Sequence, residues 1–393
     1  MALTGPPSIE PGLGPPVGML SKLDDLSARL ERASAEVGQP VRIDPLAELA
    51  LRAPTGVVRR GGRTTCGGAG RLLRSADGWI AWNLARPEDI DTVAAVVEAP
   101  TEPATAWSNL EGWCAGHRSA DAIERAGLLG MAAGALGETT TSPHPDGVRR
   151  TRSMETKARP SRLRVLDLSA IWAGPLCGAL FAAGGHDVVK LESVGRPDGT
   201  RLGPALVFDR LNAGKRSVAV DLGAEPGRTV LHALAASADV VITAARSRAL
   251  ESVGLDPTGL TGLWIAITAH GATGPGAQRV GFGDDAAVAG GLVAWHEGEP
   301  YFCADAIADP LTGIVAATVA YEVLAAGDAA HLDVAMAAVA STFAGPTSPV
   351  AAGFSQVETS EPGAGPAPRG QGRPLGADTH GVLREWIGSG RGP

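Results

Sequence analysis

The stretch YFCADAIADPLTGIVAATVAYEVLA, residues 301–325, sets Asp305 and Asp309 four positions apart, the second directly ahead of a proline. A carboxylate can move protons or attack an acyl group as a nucleophile. It is also among the best helix caps, because it accepts the orphan N–H groups of the first turn. Proline is favoured at the next position, where its missing N–H costs nothing. Leu311, Ile314, Val315, Val319 and Val323 then repeat at helical spacing. The local pattern by itself is satisfied by a cap, so only the rest of the chain can assign Asp309 to chemistry.

Other reactive groups offer less. The four cysteines, Cys66, Cys114, Cys177 and Cys303, are scattered without a C-x-x-C, which points to neither a zinc site nor a disulfide framework, and no metal is expected. No basic residue adjoins Cys177 or Cys303, so both read as small buried hydrophobes. The run RRGGRTTCGGAGRLL, residues 59–73, is glycine-rich. Glycine lets backbone N–H groups approach a ligand closely, and it equally punctuates a plain connector.

The elements that would position these groups change character along the chain. Residues 1–18 are rich in Pro and Gly and are expected to be disordered. Leu20, Leu23, Leu26 and Leu30 give one apolar face to a helix over 19–38. SADGWIAWNLA, residues 75–85, reads as a turn into a strand, and RPEDIDTVAAVVEA, residues 86–99, as a helix. These segments are assigned to a small α+β domain over 19–138, followed by a polar, basic linker over 139–161.

From residue 162 apolar strands alternate with helices: RLRVLDLS, AGPLCGALFAAGG, DVVKLE, SVAVDL, EPGRTVLHALAASA, DVVITAA, LWIAITA and HLDVAMAAVAS. Strands apolar on both faces and separated by helices imply a parallel sheet covered on both sides. The fold class is therefore α/β: a Rossmann-like parallel-sheet domain over 162–341 plus the smaller α+β domain, with a Gly/Pro-rich segment and a terminal helix over 342–393. The first strand is followed by SAIWAGPLCG rather than G-x-G-x-x-G, and the chain has no Walker loop, so an anionic ligand other than a dinucleotide is considered. Such ligands collect at the carboxyl ends of the strands.

The formal net charge is −8 and no basic stripe with interleaved aromatics occurs, which argues against a nucleic-acid partner. Neither a signal peptide nor an uninterrupted apolar run of about 18 residues is read, so a cytoplasmic protein without a membrane partner is expected.

Five collinear segments resemble the class III CoA-transferases, the family of formyl-CoA and carnitine CoA-transferases. They are RVLDLSAIWAGPLCGALFAAGGHDVVKLE, LNAGKRSVAVDL, ADVVITAARSRALESVGLD, ITAHGATGPGAQRVGFGDDAAVAGG and ADAIADPLTG. GGAGRLLRSADGWIAWNLARPEDIDTVAAVV resembles the family's smaller domain, but here it precedes the segments it usually follows, as in a permuted chain.

The resemblance implies transfer of CoA from an acyl-CoA to a carboxylic acid through an aspartyl-CoA thioester, with Asp309 as nucleophile and coenzyme A as the only cofactor, carried in as substrate. It implies a Gly-rich loop at Gly67, Gly68 and Gly70 that supplies oxyanion donors. It implies a CoA path along Ala170, Ile171, Trp172 and Ala173, with Ala244 and Ala245, and with Lys190, Lys215, Arg216, Arg246 and Arg248 near its phosphates. It also implies a homodimer. A helix macrodipole behind Asp309 is expected to keep it ionised at neutral pH.

Three departures from the family pattern stand out. Trp172 occupies a position where many members carry Gln, Phe282-Gly283-Asp284-Asp285 replaces a Tyr-Asp pattern, and Ala269-His270 replaces Ser-Gly. They leave two alternatives: a degenerate CoA-binding protein, or an acyl-CoA racemase or isomerase. Against the racemase, its histidine falls at Phe282, which cannot act as a general base. His270 reads as a hydrogen-bonded residue at a strand end.

Overall fold

The computed structural model describes residues 4–9, 12–139, 144–152, 160–256, 262–347 and 370–388. Strands β1 (Gly70–Arg74), β2 (Trp79–Asn83) and β3 (Ala132–Ala135) form a small antiparallel sheet. It is backed by the helices Pro87–Val97, Ala106–Ala115 and Ser119–Leu128 around buried Trp82, Ile80, Leu110 and Val93.

The large sheet contains β4 (Val148–Arg152), β5 (Arg164–Asp167), β6 (Asp187–Ser193), β7 (Arg216–Val220), β8 (Val240–Thr243) and β9 (Leu263–Thr268). After a hairpin of β10 (Val293–His296) and β11 (Glu299–Phe302) it is completed by β12 (Ala330–Ala335). Its seven strands run in the order β4-β12-β9-β8-β5-β6-β7. All neighbours are parallel except β4, which pairs antiparallel with β12. Counted along the chain, the six parallel strands lie third-second-first-fourth-fifth-sixth, the doubly wound arrangement in which the winding direction reverses between β5 and β8. The crevice for a ligand is expected at that reversal, outside the carboxyl ends of β5 and β8.

The helices Met19–Val37, Ala173–Ala183, Ala308–Ala325 and Met336–Phe343 share one continuous core with the sheet. Glu225–Ser237 and Thr379–Trp386 cover the opposite face through Leu231, Leu234, Val382 and Trp386. The helix Ala308–Ala325 is surrounded on all sides, and it is apolar all round for that reason. By length and composition it could cross a membrane, a stretch not anticipated from the sequence, but 83% of it is buried inside the protein. Gly313 sets its depth. A Cβ there would lie 2.7 Å from the Ala173 carbonyl oxygen and 2.9 Å from Leu176 Cβ, so only glycine allows the two helices to approach this closely.

Several boundaries differ from the sequence expectation. Residues 148–152, read as linker, form the sheet edge β4. Arg149 pairs with Asp333 of β12 at 2.6 Å, and Arg150 with Asp146 four residues before it. A basic edge strand looks like a linker because charges there discourage pairing with foreign strands. Helix Met19–Val37 packs in the core of the large sheet rather than in the small domain, and Arg29 pairs with Glu322 of the central helix at 2.8 Å. Within 1–18, Thr4 is buried and its hydroxyl accepts the Ala304 N–H at 3.0 Å, so this part of the segment is ordered against the body. Of the Gly/Pro-rich segment in 342–393, residues 348–369 lie outside the described residues.

Candidate active site

Asp309 is the second residue of its helix, not the cap: the helix begins at Ala308, its N-cap is Ile307, and no side chain caps it. Pro310 still falls in the first turn, where no intrahelical N–H partner is lost. The Asp309 side chain instead reaches a neighbouring element. Its Oδ2 accepts the N–H of Gly283, the first residue of helix Gly283–Ala289, at 3.1 Å. The cap reading and the expectation of a fully ionised carboxylate therefore both change. Burial pushes the Asp309 carboxyl up to about 7, against the lowering effects of Arg52 and of the Gly283 and Ala173 amides. Desolvation of the charged form outweighs the amide and Arg52 contributions.

The loop that delivers Asp309 is strained. Ala304 and Ala306 have φ of 56° and 44°, a region alanine enters at a cost of about 1–3 kcal/mol per residue. Contacts from four directions hold it. Thr4 accepts from Ala304 N, and Cys66 Sγ donates to Ala304 O at 3.2 Å. Asp284 Oδ1 accepts from Ala306 N at 2.9 Å. Asp305, almost fully buried, takes a bidentate pair from Arg52, whose Nε lies 2.7 Å from Oδ2.

Three further carboxyls thus crowd around Asp309. Burial and the charge of Asp305 push Asp284 up to about 7. Burial pushes Asp285 up to about 8, while its Oδ1 accepts from Phe282 N at 3.0 Å. Next to them, burial and Arg279 push His270 down to about 3, which leaves a neutral imidazole at neutral pH. Its Nε2 and Asp285 Oδ2 are buried without a hydrogen-bond partner among the described residues. The reading of His270 as a simply hydrogen-bonded strand-end residue therefore does not hold at that nitrogen.

The Gly-rich loop is brought to this site. Phe302 N donates to Gly62 O at 3.0 Å, and a Cβ on Gly67 would lie 3.3 Å from Arg52 Nη2. Two of the three expected donors are already used inside the turn, however. Gly68 N donates to Thr65 O at 2.8 Å and Gly70 N to Thr65 Oγ1 at 2.9 Å. Gly67 is the glycine of the three whose amide has no such bond among the described residues.

The turn Ala170–Ala173 follows β5 at the winding reversal, with Ala244, Ala245, Arg246 and Arg248 across from it after β8. Ile171 sits at φ 75°, strained for a β-branched residue, and is 45% exposed at the mouth. Trp172 is buried beneath the Arg52 guanidinium, whose carbon stands 5.5 Å from the ring centroid. Arg246 and Arg248 are exposed; Arg246 also donates to Gln278 O at 3.2 Å.

The other three cations expected on the phosphate path are committed elsewhere. Lys190 is buried, pairs with Asp198 at 2.9 Å and donates to Ser169 O at 2.8 Å, while Asp198 accepts the Ile171 N–H at 3.2 Å. Lys215 is buried, pairs with Asp167 at 2.7 Å and donates to Pro175 O at 2.8 Å. Both lysines shape the turn after β5 from behind, since a charge this far from solvent is stable only with a partner. Arg216 joins Asp187 and Glu385, which pins the terminal helix to the sheet. Among the described residues no cluster of His, Cys, Asp and Glu could hold a metal ion.

Arg52 carried no signal in the sequence, being a single cation in the apolar run PLAELALRAP. Asp305 was visible by its spacing, and Asp284 by its place in the altered 282–285 segment, but neither revealed its partner.

The family profile described as CoA-transferase family III matches residues 161–371, more than half of the chain. Succinate–glutarate CoA-transferase of Agrobacterium fabrum is 32% identical over 208 residues, which cover 46% of this chain and 52% of that protein. A probable fatty acyl-CoA transferase of Mycobacterium tuberculosis is 32% identical over 170 residues, 39% of this chain and 43% of that one. A crystal structure of a CAIB/BAIF family protein from Brucella suis is 31% identical over 46% of this chain and 53% of its own, with a TM-score of 0.42. The chain thus spans about half the length, or less, of the relatives it matches. The matched region runs from β5 past β12 and contains Asp309, Asp305, Asp284 and the turn after β5, whereas Arg52 and the glycine loop lie outside it. On this match, the chain belongs to CoA-transferase family III.

Proposed function

We propose that this chain transfers CoA from an acyl-CoA to a carboxylic acid, with Asp309 as the nucleophile. The observation that carries the reading is a buried carboxylate, anchored by one backbone N–H, beside the crevice at the β5–β8 reversal. Asp309 attacks the thioester carbonyl, the C–S bond breaks, and the CoA thiolate leaves with the electron pair, giving a mixed anhydride. The thiolate then attacks the Asp309 carbonyl carbon, which releases the donor acid as its carboxylate and leaves an aspartyl-CoA thioester. An incoming carboxylate runs the same steps in reverse, with no net change in protons.

In this reading CoA lies along Ala170–Ala173 and Ala244–Ala245, with Arg246 and Arg248 toward its phosphates, since cations at strand ends suit phosphate oxygens. Gly67 N is the amide left to meet an oxyanion. We place the protein in the cytoplasm, and as a homodimer on the strength of the family resemblance. A second reading, a CoA binder without transfer activity, is favoured by one observation: the Gly68 and Gly70 amides are already bonded within their turn.

Intact-protein mass spectrometry after incubation with succinyl-CoA and a panel of short acyl-CoAs separates the two. An acyl-CoA-dependent adduct in the wild type, absent in Asp309→Asn, supports transfer. Binding of CoA without any adduct supports the second reading.

A further inference from the structure

Arg52 lies at a junction of three parts of the chain. Its guanidinium rests on Trp172 from the turn after β5, faces Gly67 of the glycine loop, and grips Asp305 in the strained loop ahead of Asp309. Its own backbone is fixed because Leu49 and Leu51 are buried in the large core. Among the described residues it is the cation that faces the carboxyls of Asp284, Asp305 and Asp309. We propose that Arg52 is a positioning residue for Asp309: through Asp305 it holds the strained 304–306 loop, and its charge keeps Asp309 available as an anion. The assignment of Asp309 as the reacting group rests on the function proposed above, but the electrostatic claim does not.

The geometry explains why one cation has this leverage. Asp305 pairs with Arg52 and lies four residues before Asp309, and its carboxylate opposes the ionisation of Asp309 whenever Arg52 does not offset it. The groups facing Asp309 are Arg52, Asp305, Asp284, Asp285 and the Gly283 and Ala173 amides, while the thiol of Cys66, which burial holds protonated, faces Asp305 and Asp284. The neutral His270 adjoins Asp285 rather than Asp309. Removing Arg52 leaves this set with carboxyls and no cation. Removing Asp305 leaves Arg52 free to act on Asp309 directly.

The test reads Asp309 ionisation without relying on turnover. The full chain is labelled with 13Cγ-aspartate, the Asp309 carboxyl resonance is assigned by its loss in Asp309→Asn, and its titration is followed by NMR. The variants are Arg52→Met, Asp305→Asn and the double variant, each checked for cooperative unfolding. The midpoint should rise by about one pH unit, a tenfold gain in proton affinity, in Arg52→Met. It should fall in Asp305→Asn and return toward the wild-type value in the double variant. If the arginine only braces the loop, loosening it admits water, and the midpoint in Arg52→Met moves down toward the ordinary carboxylate range; that result overturns the proposal. Unchanged midpoints in all three variants overturn it as well. Adduct formation is measured in parallel. A midpoint pattern as expected without any adduct leaves Arg52's role standing and removes the transfer reading.

Discussion

Gly283→Ala is the sharpest single test of the site. A Cβ on residue 283 would stand 2.3 Å from Asp309 Oδ2 and 2.4 Å from the Ala306 carbonyl oxygen, both well inside van der Waals contact. The Asp309 side chain can rotate away, but only by giving up the 3.1 Å bond from Gly283 N. The Ala306 carbonyl cannot yield without moving a residue already at φ 44°. Overpacking of this kind costs about 1–3 kcal/mol, and a hydrogen bond to a charged acceptor contributes about 1.5–3 kcal/mol. Rotating Asp309 relieves its own clash by breaking the bond while the Ala306 contact persists, so the two terms do not simply add, and we expect a loss of about 2–4 kcal/mol in urea unfolding.

A nucleophile misplaced by about 1 Å should slow adduct formation roughly 100-fold, read by quenched mass spectrometry with succinyl-CoA. Gly112→Ala is the control: nothing lies within 4 Å of its added Cβ, inside helix Ala106–Ala115, so it should stabilise by about 0.5–1 kcal/mol without touching the rate. A Gly283→Ala protein with wild-type stability and rate would refute the placement of Asp309 against this helix start.

Three further outcomes follow from the buried charges. Asp309 titrates near 7 and attacks only as the anion, so the rate of adduct formation should climb through about pH 7 and level off above it, as measured by a pH series of single-turnover reactions. Asp285 is pushed up to about 8, above its unfolded value, so the folded state holds its proton longer and stability falls as pH rises from about 4 through 8. Asn can still accept the Phe282 N–H, so Asp285→Asn should be more stable than the wild type by on the order of 3–5 kcal/mol at pH 9 and little different at pH 4, by urea unfolding. Lys215→Met strands the buried Asp167 carboxylate and should cost about 3–5 kcal/mol in the same assay. If Lys215 instead served the CoA phosphates, the loss would appear in the salt dependence of CoA binding with stability intact.

The alternating strands and helices from residue 162 onward were legible because buried parallel strands are continuous apolar runs and their helices follow a 3.6-residue period. DVVITAA and LWIAITA became β8 and β9, and EPGRTVLHALAASA became the helix Glu225–Ser237. Asp309 was singled out by the family resemblance, but its place inside the first turn and its bond from Gly283 N were not readable from the local pattern. Less visible were β4, the hairpin β10–β11 and the short helix Gly283–Ala289. VRRTR has the composition of a linker, and it becomes a strand only because β12 offers it an edge and Asp333 a counter-charge.

The succession of strands and helices and the parallel sense of the sheet follow from runs of residues readable along one dimension, whereas the order of the strands, and with it the crevice between β5 and β8, appears only in the folded sheet. The ionisation of Asp309, the commitment of Lys190 and Lys215 to buried carboxylates, and the joining of Arg52 to Asp305 across 253 positions were decided only by tertiary structure. Hydrophobic periodicity is a local property that each segment carries with it. A charge takes its meaning from the groups packed around it and from the water they exclude, and the chain supplies those from distant segments only after it has folded.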